Sequence, residues 1–297
     1  MFESSVPQLR FAEPDLAETD MCPPPSATVL RVPKGKASGR RNQPQQIITE
    51  LGHNVRYEGS ALVVDSKGME QSWSDGARPD LLEFEYMQHL DIFLQAAKPF
   101  STRDRVLHAG AGACALAKAW ERTRQDSTHL AVDMDDELID FLKDSGWIKP
   151  NGRIRLRVGD ARAVLEGSTA SYDVIVRDAF LDDTTPPPLT TVEWAELAKS
   201  RLRPGGLYLA NVAHGPQNSG KKDVAATVAV FGNVAVITDP KVWRSARSGN
   251  LAIAAWDGYD LDWAKLNEGI RRLPLPARAF TGVQVSNWLA GTKPVRD

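Results

Sequence analysis

The stretch that decides the fold reads Arg105-Val106-Leu107-His108-Ala109-Gly110-Ala111-Gly112. A short apolar run followed by glycines is typical of a strand that turns sharply into a helix. Two similar strands follow, one ending Leu130-Ala131-Val132-Asp133 and the other ending Val158-Gly159-Asp160-Ala161. Because ligands bind outside the carboxyl ends of strands in a parallel sheet, these strand ends are expected to face one crevice.

Strand and helix patterns alternate through the central part of the chain. Strands predicted near 105–110, 128–134, 153–159 and 172–178 are separated by helical stretches. This is the pattern of βαβ units, so we expect an α/β fold with a parallel sheet. Two later strands, near 233–238 and 250–256, have no helical pattern between them. They predict an antiparallel pair at the sheet edge.

Three regions are expected along the chain. Residues 1–44 lack a hydrophobic period and predict a disordered tail. Residues 45–78 hold short β-rich pieces punctuated by glycines, which predicts a small antiparallel β-domain. Residues 79–297 then form a Rossmann-like domain with a C-terminal helical extension. A helix with Asp80 as its N-cap is predicted to join the two domains.

Composition excludes several classes of function. The 297 residues carry a formal net charge of -2, which gives no global attraction to nucleic acid or to membranes. The two cysteines and five histidines show no metal-ligand spacing, and neither GxSxG nor a Walker loop is present. With no leader-like or membrane-spanning apolar segment, the sequence predicts a cytoplasmic protein without a metal, a nucleic-acid partner or a membrane partner.

The glycine loop and the acid after the next strand suit a nucleoside ligand. Gly110 and Gly112 permit close backbone approach, and Asp133 lies 23 positions after Gly110, where a carboxylate can accept ribose hydroxyls. The same residues match the GxGxxA form of the dinucleotide fingerprint. The loop alone therefore leaves NAD and an adenosyl sulfonium open.

The next two strand ends add polar groups to the expected crevice. Asp160 can accept from an adenine amino group with the small Ala161 against the ring, but it can equally be a helix N-cap, and the roles can coexist. Asp178 ends the strand near 172–178, where it could accept a proton or hold an ammonium group. His108 alternates within an apolar strand and is interpreted as a satisfied core residue.

Together these motifs resemble those of the polyamine aminopropyltransferases, the spermidine synthase family, and especially its divergent bacterial spermidine-synthase-like branch. The resemblance covers about 61–256. Besides the strand-end motifs already described, it rests on Gly68-Met69-Glu70-Gln71, which is similar to the family's DG-x-x-Q step, and on residues 83–86, which are similar to its E-x-x-Y step.

The resemblance implies a Rossmann-like sheet of the S-adenosylmethionine-dependent methyltransferase type. It implies transfer of an aminopropyl group from decarboxylated S-adenosylmethionine to a polyamine such as putrescine, with release of methylthioadenosine. The adenosyl compound is then a co-substrate, and no prosthetic group is bound. A homodimer is a further expectation.

Site residues carry over from the family position by position. The residues implied to surround the adenosyl donor are Gln71, Gly110, Gly112, Asp133, Asp160 and Ala161. Asp178 becomes the catalytic carboxylate. Tyr86 and Asp182 are expected to bind the amine substrate.

The sequence departs from the family's pattern at three places. The glycine loop reads Gly110-Ala111-Gly112-Ala113 and lacks the family's acidic residue. Leu181 stands where the family has a second aspartate, with Asp182 one residue later, and Lys67 replaces the aspartate of the DG step. These changes weaken recognition of a dicationic diamine more than adenosyl binding.

Other functions therefore stay open at this stage. Methyl transfer from S-adenosylmethionine itself uses the same fold and adenosine contacts. A non-catalytic adenosyl-binding homologue is favoured by the loss of the loop acid and disfavoured by Asp178. An NAD-dependent dehydrogenase is the fourth reading.

Overall fold

The computed structural model describes residues 46–97, 103–181 and 184–297. The chain divides into two units, and every described residue belongs to the second, Ala37–Asp297. The predicted tail, 1–44, lies outside the described residues, as does Asp182.

The described region begins with a small antiparallel sheet, as the sequence predicted. Its strands pair in chain order and are β1 (Gln46–Ile48), β2 (His53–Glu58), β3 (Ala61–Ser66) and β4 (Met69–Asp75). Every residue of β3 is buried, because the central strands pair on both edges and pack on one face against the rest of the molecule. The domain boundaries at 45 and 78 stay predictions.

An eight-stranded mixed sheet forms the centre of the main domain. Its strands are β5 (Arg105–Ala109), β6 (Thr128–Asp133), β7 (Ile154–Val158), β8 (Tyr172–Arg177), β9 (Leu202–His214), β10 (Asn233–Thr238), β11 (Gly249–Trp256) and β12 (Arg278–Thr281). Their order across the sheet is β12-β10-β11-β9-β8-β5-β6-β7. Strands β5 to β9 are mutually parallel, which confirms the predicted α/β class.

Helices cover both faces of this sheet. They are α1 (Glu85–Ala96), α2 (Ala115–Thr123), α3 (Asp136–Asp144), α4 (Ala161–Glu166), α5 (Val192–Arg201), α6 (Lys221–Val228), α7 (Pro240–Trp243), α8 (Trp263–Arg271) and α9 (Val283–Leu289). Side chains of β8 alternate between the faces, since Ile175 packs with α4, α5 and α6 while Val174 and Val176 pack with α1, α2 and α8. A third apolar cluster joins the small sheet to α2 and α3 through Leu62 and Val64.

Two sequence predictions about these elements need correction. The helix that joins the domains begins at Glu85 with Phe84 as its N-cap, not at Asp80, because the chain first makes a turn in which the Leu81 N–H donates to the Arg78 carbonyl. The antiparallel pair predicted near 233–238 and 250–256 is confirmed as β10 and β11. The sheet edge, however, is taken by β12, which pairs with β10.

The sheet has a topological switch point beside β5. The chain runs from β5 to β6 and β7 on one side, then returns to place β8 on the other side. The connections after β5 and β8 therefore diverge and leave a crevice at the carboxyl ends of these strands, where open α/β sheets bind ligands. In the described part of the chain, no helix is long and apolar enough to cross a membrane.

Candidate active site

Asp178 stands directly after β8, at the switch point. Its Oδ2 accepts a hydrogen bond from the Tyr86 hydroxyl at 2.9 Å, and its Oδ1 accepts one from the Asn211 side-chain amide at 2.9 Å. Its backbone N–H donates to the Ala109 carbonyl at 2.9 Å, so the residue is also tied to the end of β5. Three elements, α1, β5 and β9, thus hold one carboxylate in a single orientation.

The surroundings of this carboxylate shift its ionisation. Burial raises the pKa of Asp178, while the hydrogen bonds from Asn211 and Tyr86 and the positive charge of Arg177 act in the opposite direction. Burial and the neighbouring negative charge raise the pKa of the Tyr86 phenol well above its usual value. Tyr86 is therefore a neutral donor, which is the role its hydrogen bond to Asp178 requires.

A buried ion pair supports the same corner from the other face of the sheet. Arg177 pairs with Asp223 at 2.8 Å between Nη2 and Oδ2. It also donates to the backbone carbonyls of Leu189 at 2.6 Å and Asn211 at 3.2 Å. Breaking a buried pair would leave an unpaired charge, so the pair holds Arg177 in place. Through its bond to the Asn211 carbonyl, Arg177 fixes the backbone of Asn211, whose side-chain amide donates to Asp178.

The two loop glycines are required by different neighbours. A Cβ on Gly110 would lie 2.2 Å from the Asp178 carbonyl oxygen, so the close approach of β5 and β8 needs a glycine there. A Cβ on Gly112 would lie 2.7 Å from the side chain of Ser72 on β4. The Ser72 hydroxyl accepts from the Ala113 N–H at 2.9 Å. Gly112 thus lets the small sheet dock on the loop.

Asp133, the last residue of β6, is bound to the same loop. Its Oδ2 accepts from the Ala111 N–H at 2.8 Å, and its Oδ1 accepts from the Asp135 N–H at 3.1 Å. Each carboxylate oxygen has a second lone pair, so the side chain keeps acceptor capacity for ligand hydroxyls.

Asp160 and Ala161 lie at the end of β7, two strands away from β5. Asp160 is the N-cap of α4, and its Oδ1 accepts from the Ala163 N–H at 2.7 Å. This is one of the two roles left open by the sequence. Its exposed side chain has a second oxygen available, and the buried Ala161 packs in the core below. Contact with adenine stays a prediction.

A small cavity of about 40 Å³ opens at the switch point. Four of the predicted residues line it, namely Gln71, Gly110, Gly112 and Asp178. Asp133, Asp160 and Ala161 lie outside its lining. The structure therefore brings the small sheet, the glycine loop and the β8 carboxylate to one point, with the other predicted donor residues along the same sheet edge.

A larger cavity of about 200 Å³ is lined in part by Tyr86. Its lining includes Tyr86, His89, Thr238, Arg247 and Asn250. His89 is buried, its Nδ1 has no hydrogen-bond partner among the described residues, and burial lowers its pKa to about 4. Asp178 lines the small cavity and Tyr86 lines the larger one, so the hydrogen bond between them joins one wall of each cavity.

Sequence reasoning missed two residues of this site. Asn211 is a buried amide in the apolar strand β9, and a polar side chain inside an apolar run was the available signal. His108 was expected to be a satisfied core residue, but it lines the small cavity and only its Nε2 has a hydrogen-bond partner among the described residues. Within the described ranges, no group of three or more His, Cys, Asp and Glu is placed to hold a metal ion.

Comparisons with known sequences point to one family of enzymes. No protein-family model matches the chain. "Probable polyamine aminopropyl transferase" of Bifidobacterium longum is 26% identical over 195 residues, which are 64% of this chain and 39% of that protein. "Polyamine aminopropyltransferase 2" of Pseudomonas aeruginosa is 36% identical over 167 residues, 52% of this chain and 48% of that protein. The chain thus spans less than half the length of these curated relatives.

Comparisons with solved structures agree with the sequences. A probable spermidine synthase from Corynebacterium glutamicum superposes with a TM-score of 0.77 at 29% identity, covering 85% of this chain and 95% of that one. A spermidine synthase crystallised with the transition-state analogue AdoDATO has a TM-score of 0.51 at 15% identity over 82% of each chain, which shows the fold alone. The predicted resemblance is therefore confirmed: the chain is similar in sequence to polyamine aminopropyltransferases and in fold to spermidine synthases.

Proposed function

We propose that this protein transfers an aminopropyl group from decarboxylated S-adenosylmethionine to an amine such as putrescine. The observation that carries the proposal is the hydrogen bond between Asp178, which lines the small cavity, and Tyr86, which lines the larger one. A reaction between two bound molecules needs two compartments and a shared contact point, and a carboxylate at that point suits an amine nucleophile.

The donor is assigned to the side of the glycine loop. Gln71, Gly110 and Gly112 surround the small cavity, and Asp133 is hydrogen-bonded to the same loop with acceptor capacity left for ribose hydroxyls. Asp160 is proposed to use its second oxygen for the adenine amino group. A spermidine synthase of the same fold was crystallised with the adenosyl compound AdoDATO, which supports an adenosyl ligand here.

The acceptor is assigned to the larger cavity. Glu85 in its lining supplies negative charge for an ammonium group, and the paired rings of Phe84 and Tyr86, 6.0 Å apart, supply apolar surface for a carbon chain. Asp178 lies one hydrogen bond beyond this lining, through Tyr86. Arg247 is held by Asp239 at 3.0 Å and by Glu85 at 3.7 Å, so its charge is largely balanced. Asp182 is also proposed to bind the amine. The homodimer and the cytoplasmic location stay predictions.

The reaction requires an uncharged amine in line with the carbon next to the sulfonium. The nitrogen lone pair forms the new C–N bond as the C–S bond breaks, and the departing electron pair neutralises the sulfur to give methylthioadenosine. The proton lost by the amine passes to Asp178 or to water held by it. Because alkyl ammonium groups have pKa values near ~10, positioning and deprotonation are the main tasks of the site.

Binding measurements separate this function from its alternatives. Titration calorimetry on the full chain with decarboxylated S-adenosylmethionine, S-adenosylmethionine, methylthioadenosine and NAD is expected to show binding of the first and third compounds. Adding putrescine to the protein with decarboxylated donor should then release methylthioadenosine, measured by chromatography.

Each alternative has its own outcome. Preference for S-adenosylmethionine over its decarboxylated form would favour methyl transfer, and binding of NAD would favour a dehydrogenase. Tight adenosyl binding with no product from putrescine or any longer polyamine would indicate a non-catalytic homologue.

A further inference from the structure

The small cavity contains a histidine that the proposed mechanism does not yet use. His108 on β5 lines this cavity together with Asp178 and Gly110. In the register between β5 and β8 it lies opposite Val176, two residues before Asp178. The side chains of His108 and Asp178 therefore belong to the same face of the sheet.

A chain of hydrogen bonds runs from His108 to a backbone carbonyl, and we assign its protons from the carbonyl end. With the Ser127 hydroxyl donating to the Arg124 carbonyl at 2.7 Å, its oxygen accepts from Nε2 of His129 at 2.8 Å. In a neutral imidazole the other nitrogen then carries no proton. Nδ1 of His129 accepts from Nε2 of His108 at 3.0 Å, which leaves Nδ1 of His108 with a free lone pair.

Both rings are neutral and held in place. Burial lowers the pKa of His129 to about 4 and that of His108 well below its usual value. The His108 ring also packs against Trp120 at 5.7 Å between centroids. Nδ1 of His108 has no hydrogen-bond partner among the described residues. The ring therefore offers a ligand in the small cavity an acceptor with a fixed position.

The other groups around the cavity point to a cationic ligand group. The described lining contains no lysine or arginine. Ala111 and Ala113 bring no polar side chain to the loop, and burial raises the pKa of the Cys114 thiol to about 12, so that it is uncharged. The cavity has room for a group the size of an ammonium ion or a water molecule. Asp178 and His108 offer that group two acceptors.

We propose that His108 accepts, through Nδ1, a hydrogen bond from the primary amino group at the end of the donor's propyl arm. This inference rests on the proposed function and adds a specificity-determining residue to it. S-adenosylmethionine carries a carboxylate on the same arm. That carboxylate would face the lone pair of His108 and the negative charge of Asp178, and no lysine or arginine in the described lining would balance its charge. The pair of acceptors thus selects the decarboxylated donor.

Three adenosyl probes test this assignment by calorimetry on the full chain. Methylthioadenosine lacks the arm, decarboxylated S-adenosylmethionine carries the amine alone, and S-adenosylmethionine carries the amine and the carboxylate. His108→Leu is expected to weaken binding of the decarboxylated donor by roughly 10-fold, with methylthioadenosine affinity changed by less than about 2-fold. The preference over S-adenosylmethionine should fall by a similar factor.

His214→Leu is the matched control. His214 is also a buried histidine, and both of its ring nitrogens have partners, the Gly220 N–H and the Ser245 hydroxyl, but it lines neither cavity. It should leave the ratio of the two affinities unchanged. An equal loss for all probes in His108→Leu, or no loss for any, would overturn the inference while leaving adenosyl binding in place. If the wild type binds none of the probes, the proposed function itself fails and this inference with it.

A measurement on the wild type avoids dependence on the variant's folding. In ¹⁵N-histidine spectra the hydrogen bond to His129 identifies His108, and its Nδ1 should have the shift of an unprotonated nitrogen. That resonance should move when the decarboxylated donor is added and stay in place with methylthioadenosine. A protonated Nδ1 in the free protein would refute the proposal directly.

Discussion

Tyr86 and Asp178, which are 92 positions apart in the chain, are joined by a hydrogen bond of 2.9 Å from the phenol to Oδ2. This bond connects the first helix of the main domain to the end of β8, and it joins a residue that lines the larger cavity to one that lines the small cavity. Because Asn211 occupies the other carboxylate oxygen, the group is oriented from both sides. The chemistry that we propose depends on this arrangement.

Replacing the carboxylate is expected to stop turnover without preventing donor binding. Asp178→Asn keeps the size of the side chain but removes its charge, so turnover should fall by on the order of 10²-fold or more. Methylthioadenosine affinity should stay within a few fold. Asp173→Asn is the control, since Asp173 lies near the opposite end of β8 and binds Arg203 and the Arg105 N–H. Near-normal turnover in Asp178→Asn would assign the carboxylate a purely structural role.

Removing the phenol hydroxyl should change the pH dependence of the reaction. The hydrogen bond from Tyr86 opposes the effect of burial on the pKa of Asp178, so Tyr86→Phe should raise that pKa further. The ionised form is then lost at a higher pH, and the acidic limb of the turnover profile should move towards neutral pH. Phe84 still has an aromatic neighbour in this variant, which preserves the ring contact. An unshifted limb would show that Asp178 does not control the profile.

Asp133 is expected to contribute to adenosyl binding. Asp133→Ala should weaken methylthioadenosine binding by roughly 1 to 3 kcal/mol, because ribose hydroxyls lose a charged acceptor and the Ala111 N–H loses its partner. Asp136→Ala, an exposed acid in the first turn of α3, is the control and should bind normally. Calorimetry on both variants checks this. Equal affinities for the two variants would remove Asp133 from the site.

Stability is expected to fall in mild acid because histidines are buried in neutral form. Burial lowers the pKa of His89 to about 4 in the folded protein, against about 6.5 for a solvent-exposed histidine. The unfolded chain therefore binds more protons between these values, and stability decreases as pH falls through this window. His89 alone should contribute about 2 kcal/mol less at pH 5 than at pH 7. Urea denaturation at pH 5 and pH 7 measures the free energy of unfolding of the wild type and of His89→Leu. An equal change with pH in the two proteins would contradict the prediction.

The sequence was sufficient for the features that arise from local rules. Alternating strand and helix patterns predicted the α/β class, and glycines followed by strand-end acids predicted one edge of the sheet as the site. The α/β class is confirmed, because a glycine turn and an apolar strand specify local backbone geometry, and the site at that edge stays a prediction. The start of α1 was wrong, since a turn near Arg78 competes with the Asp80 cap that the local pattern favours.

The site itself was decided by contacts between distant parts of the chain. No local pattern pairs Asn211 with Asp178, because the pairing arises only when β9 lies beside β8 and turns this side chain to the same face. Gly112 lines the small cavity, and its close approach to Ser72 of the small sheet also arises only in the tertiary structure. In a β-strand, successive residues face opposite sides, so alternation predicted that His108 is buried. Whether its second nitrogen meets a protein group or a cavity depends on how α1, α2 and β8 pack around it, which only the tertiary structure determines.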